Sequence, residues 1–93
     1  MRLQIEVDWV PTIRCMLVYM IDTGWRLKKT LLFGGKAYWL KKETAEATIP
    51  ADETFGDYEA RIREAIQAIA HQETRSEYEV WKDIYKLSLM AYQ

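Results

Sequence analysis

From Arg2 to Trp9 the chain alternates Leu3, Ile5, Val7 and Trp9 with Arg2, Gln4, Glu6 and Asp8. A period of two puts one set on each side of an extended chain, so this segment predicts a strand with one buried face. The next stretch carries two periods at once. Ile13, Met16, Leu17, Met20 and Ile21 fall at the helical spacing i, i+3, i+4, i+7, i+8, while Cys15, Leu17, Tyr19 and Ile21 alternate. Pro11 suits a first helical position and Gly24 suits the residue just past a helix end. That bracket favours helix over strand for Pro11 to Thr23.

Trp25 to Leu32 and Lys36 to Lys42 read as two strands around Phe33-Gly34-Gly35. A Gly-Gly pair supplies the positive φ angles of a tight hairpin turn. Within the hairpin Trp25, Leu27, Leu31 and Phe33 share one register, with Lys29 interrupting it, and Arg26, Lys28 and Thr30 share the other. Ala45 to Ile49 predicts a short further strand closed by Pro50. Tyr58, Ile62, Ala65, Ile66 and Ile69 then form an apolar helical stripe, with Asp57 available as its N-cap and an end near Gln72–Thr74. Ser76 followed by Glu79 is a capping-box pattern that opens a last helix. There Val80, Ile84, Leu87 and Ala91 form one stripe and Trp81, Tyr85, Ser88 and Tyr92 an adjacent one. The two together are wider than one side of a small domain requires.

These elements predict an α+β fold in one domain over residues 1–93: a small antiparallel sheet of about three to four strands, helices packed on one face, in the order β-α-β-β-β-α-α. The composition, 49% hydrophobic and 29% charged, is that of an ordinary globular chain. Four Trp and six Tyr are many for a core this small, so some rings should reach a surface. Cys15 is the only cysteine, which excludes an internal disulfide and a Cys–His zinc pattern. With no apolar run long enough for a signal peptide or a membrane span, the expected location is cytoplasmic.

Charge changes the picture more than composition does. The net charge of −1 divides unevenly along the chain. Thr23 to Lys42 holds six basic residues and no acidic one, whereas Glu43 to the end holds eleven acidic and five basic. The basic stretch coincides with the predicted hairpin 25–42. Arg26, Lys28, Lys36, Lys41 and Lys42 surround Tyr38 and Trp39, a combination that attracts phosphates and offers a ring for base stacking. The opposing reading is that lysines on a two-stranded edge keep it soluble and discourage edge pairing.

Catalytic patterns are missing. His71 stands alone on its predicted helix, and no nucleophile elbow, phosphate loop or HExxH motif occurs. Glu77 and Glu79 suit the first turn of a helix by complementing its dipole, so no metal or cofactor is expected. The expectation is that the chain is not an enzyme.

The order helix, Thr-Gly-Trp step, hairpin, strand and helix from Pro11 to Ala70 resembles double-stranded-RNA-binding domains and small toxin RNases of the HicA type. The toxin resemblance implies a catalytic His in the second strand, where this chain has Tyr38-Trp39-Leu40. Ala60 to Leu87, with Thr74-Arg75-Ser76 in the turn, is similar in outline to the helical half of ribbon-helix-helix repressors. That resemblance makes Ala45 to Ile49 the ribbon and implies dimerisation, but the ribbon lacks basic residues.

The leading expectation is a non-catalytic protein–protein interaction module, a homodimeric regulator, antitoxin or inhibitor from a prokaryote or phage, docking through Trp81, Tyr85, Leu89 and Tyr92. The alternative is binding of RNA or single-stranded DNA through the hairpin. A membrane is not among the expected partners.

Overall fold

The computed structural model describes residues 9–31, 37–54 and 56–90. In chain order they form helix α1 (Ile13–Asp22), strands β1 (Arg26–Leu31), β2 (Ala37–Lys42) and β3 (Ala45–Pro50), and helices α2 (Tyr58–Glu73) and α3 (Glu77–Met90). The α+β class and the run α-β-β-β-α-α are as the sequence predicts. The first predicted strand falls, save for Trp9, outside the described residues, and so does the turn Phe33-Gly34-Gly35.

The ambiguous segment is a helix. Thr12, not Pro11, opens it: Thr12 is extended, and its Oγ1 accepts the Cys15 N–H at 3.1 Å. Pro11 lies one residue outside, where its carbonyl accepts the Tyr58 hydroxyl at 2.6 Å. At the other end the Gly24 N–H returns to the Ile21 carbonyl and the Trp25 N–H to the Met20 carbonyl. This closure needs a left-handed residue, which Gly24 supplies at φ 104°. The buried face of α1 runs along Met16, Tyr19 and Met20. It is therefore rotated from the predicted stripe: Ile21 is 55% exposed, and Tyr19 takes its place inside.

The helix α2 ends in the same kind of closure with a different residue. The Thr74 N–H returns to His71 and the Arg75 N–H to Ala70, with Thr74 itself left-handed at φ 58° and ψ 48°. At its start Asp57 occupies the N-cap position without capping, because its carboxylate accepts from Arg61 Nε at 3.1 Å instead. The helix α3 opens on the predicted capping box. The Glu79 N–H donates to Ser76 Oγ at 3.1 Å, and the Ser76 N–H donates to Glu79 Oε1 at 3.3 Å.

The strands pair antiparallel in the order β1-β2-β3. Glu43 and Thr44 alone join β2 to β3, and Glu43 takes the positive φ (56°) that so short a connection requires. Leu40, Ala47 and Ile49 point to the buried side of the sheet. The helix α2 lies along β3, α1 meets β1 and β3, and α3 packs on α1 and α2. All three helices thus stand on one side, around a core of Met16, Met20, Trp25, Ile62, Ile69 and Ile84. No described helix is long and apolar enough to cross a membrane.

Candidate nucleic-acid interface

Because the helices take one side of the sheet, the other side is open among the described residues. Alternation assigns it. Leu40 faces the core, so Trp39 and Lys41 face away, and their ladder partners Thr48, Glu46 and Arg26 share that face. Trp39 stands on the central strand and is half-buried. Its Nε1–H donates to Glu46 Oε1 at 3.1 Å, and Lys41 Nζ lies 6.0 Å from the centre of its ring.

The bulge in β1 explains the interrupted register of the sequence. Leu27 pairs with Leu40 and Lys29 with Trp39, so Lys28 is an extra residue in the ladder. A bulge sets two residues against one and re-aims the strand beyond it. Here it places Lys29 opposite Trp39, two ladder pairs along from Arg26 opposite Lys41. Lys41 and Arg26 bring positive charge beside one aromatic ring. The chemistry of this face is phosphate attraction plus ring stacking.

Of the predicted basic residues, Lys36 lies outside the described residues, and one other is not part of this face. Lys42 turns to the helical side, where its Nζ donates to the Thr23 carbonyl at 2.5 Å. Its stem runs past Gly24, close enough that a Cβ there would sit 3.3 Å from Lys42 Cε. The ammonium meets a carbonyl at the negative end of α1, a structural use that takes it away from the open face.

The predicted protein-docking residues separate in the same way. Trp81 and Tyr85 are half-buried and stack with centroids 5.8 Å apart, and Trp9 sets its edge against both at 5.2 and 5.1 Å. Much of the spare apolar surface of α3 is thus covered by the residue that leads into α1. Leu89 stays 51% exposed and its neighbour Met90 65%, while Tyr92 lies outside the described residues.

One polar cluster escaped the sequence reading. Arg75 donates through Nε to Glu73 Oε1 and through one terminal nitrogen to Asp83 Oδ2 and the Tyr19 hydroxyl, each at 2.7 Å. The Tyr19 hydroxyl donates in turn to Glu73 at 3.0 Å. Burial, reinforced by the Glu73 carboxylate, holds the Tyr19 phenol up at about 12, and hydrogen bonds to Asp83 and Glu73 raise Arg75 further above its ordinary value. No sequence signal joins residues 54 and 56 positions apart. These bonds fasten α1, α2 and α3 together.

Compared with protein-family models, with curated proteins and with solved structures, the chain matches none. The order α1-β1-β2-β3-α2 is the one implied by the resemblance to double-stranded-RNA-binding domains, in order alone. The ribbon assigned by the repressor resemblance is instead β3, paired within its own chain to β2.

Proposed function

We propose that this chain is a non-catalytic binding module that takes single-stranded RNA or DNA on the open face of its sheet. The observation that carries the reading is Trp39 with Lys41 beside its ring and Arg26 opposite Lys41, on a face that no described helix covers. Stacking of a base on an aromatic ring is tolerant of sequence, and phosphates supply most of the affinity. Glu46 favours this use of Trp39 by fixing the ring in place through its indole N–H.

Fluorescence anisotropy with labelled single-stranded oligonucleotides at low salt tests it. Binding should weaken steeply with added salt, and Trp39→Ala should lower affinity by about tenfold or more, the size of one lost stacking contact. Lys41→Ala should lower affinity and reduce the salt slope by about one phosphate contact. Absence of binding at low salt, or equal binding by the Trp39 variant, overturns the proposal.

A second reading, docking of a protein partner on the end of α3, is favoured by one observation, the exposure of Leu89 and Met90 side by side. A partner captured by the chain and lost in Leu89→Glu, with oligonucleotide binding absent, would replace the first reading with this one.

A further inference from the structure

The two edges of the sheet are protected differently. The outer edge of β1 is interrupted by the bulge at Lys28, and bulges and lysines are the usual devices against edge pairing. The strand β3 has neither. Its six residues keep an unbroken register with β2, and none of them is basic. Its one charged side chain, Glu46, is bonded across to Trp39 on β2 and so is drawn away from the free edge. Among the described residues no strand lies beyond β3. Its outward N–H and C=O groups form a row suited to another strand.

We propose that β3 pairs antiparallel with β3 of a second copy of this chain, making one continuous six-stranded sheet across a two-fold axis. Three constraints fix the register. The faces of the two sheets must match, so each residue lies opposite one from the same face. Like charges must not oppose, which excludes Glu46 against Glu46. Pro50 has no N–H, so it suits a position whose missing donor faces the free edge. The same alternation turns the N–H and C=O groups of Glu46 and Thr48 outward. The longest register that meets these conditions and keeps Pro50 out of the bonded pairs sets Glu46 opposite Thr48 of the second copy, with Ala47 against Ala47 on the axis. Glu46 and Thr48 then exchange hydrogen bonds reciprocally, and symmetry repeats the exchange.

The pairing stands on β3 alone. Its functional consequence rests on the reading of the open face as a nucleic-acid surface. The two Trp39 rings would lie on one face, three strand spacings apart and offset by two residues along the strands, about 16 Å in all, so that one strand of nucleic acid could span both.

Light scattering on a concentration series, combined with amide hydrogen exchange, tests the pairing. The expected result is a dimer that forms with rising concentration, with the Glu46 and Thr48 amides slowed at least about tenfold relative to dilute monomer. Thr48→Pro removes an outward N–H and should return the chain to a monomer. Thr48→Glu, which sets like charges opposite Glu46 of the second copy twice over without touching the backbone, should do the same and covers the case in which the proline variant fails to fold. A chain that stays monomeric at high micromolar concentration overturns the proposal. So does a dimer that survives both substitutions, or a monomer whose Glu46 and Thr48 amides are already protected, which would give the edge to another segment of the same chain. Oligonucleotide binding by a parent chain that stays monomeric would show the sheet face working without the pairing. A dimer with no oligonucleotide binding would leave the pairing intact and remove the other reading.

Discussion

At the scale of single residues, two neighbouring lysines divide structure from binding. Lys41 lies opposite Arg26 on the open face, while Lys42 reaches back to the carbonyl of Thr23. Lys42→Met should therefore lower stability by about 1 kcal/mol, the value of a charge-assisted bond at a helix end, and leave oligonucleotide affinity nearly unchanged. Lys41→Ala should do the reverse, and urea midpoints read beside anisotropy separate the two effects. In the sequence both were basic residues of one hairpin. There they group around one ring, because the partner of Lys42 is nineteen residues away and left no local mark. Tyr19 gives a second residue-level test. An unfolded tyrosine ionises near pH 10, whereas buried Tyr19 keeps its proton to about 12. Between those values the unfolded chain binds fewer protons than the folded one, so stability falls as pH rises through that window, by up to about 3 kcal/mol. Denaturant midpoints from about pH 9 to about pH 12 should show the decline. Tyr19→Phe should start lower, having lost the hydroxyl, and decline less.

At the scale of elements, helix ends were more legible than helix faces. The Ser76–Glu79 box and Gly24 both act as their residue types predict, since a cap is a local interaction between residues close in sequence. The buried face of α1 was not legible, because which of Tyr19 and Ile21 turns inward depends on α2 and α3. The bulge in β1 was half-legible: the sequence showed Lys29 breaking the alternation, but only the pairing with β2 reveals Lys28 as the inserted residue. The ends of α1 and α2 share one closure and differ at the left-handed position, glycine in one and the β-branched Thr74 in the other. A β-branched residue is strained there by about 1–2 kcal/mol, part of which a glycine returns through its greater freedom in the unfolded chain. Thr74→Gly should therefore stabilise the protein by about 0.5–1 kcal/mol, a gain that thermal unfolding can resolve.

At the scale of the whole molecule, the sheet is tied to the helices mainly by apolar packing, while the three helices are also tied to one another by Arg75. This residue leaves the left-handed turn after α2 and meets Glu73 at the end of α2, Tyr19 on α1 and Asp83 on α3. Its backbone N–H closes α2 on Ala70, so the turn geometry aims the side chain into the gap between the helices. The side chain is 29% exposed and that of Glu73 14%, a partial burial in which removing the cation strands two carboxylates. Arg75→Ala should lower stability by about 2 kcal/mol, less than the 3–5 kcal/mol of a fully buried pair because water reaches part of the site. Arg75→Met, which keeps the length of the side chain, should recover little, since the loss arises from charge left unpaired rather than from packing. Adding Asp83→Asn to Arg75→Met relieves one of those charges and should restore part of the stability, a positive coupling readable in a double-mutant cycle. If the cluster is structural alone, all three variants will keep the oligonucleotide affinity of the parent at temperatures where they remain folded, because the open face of the sheet lies on the side away from α3.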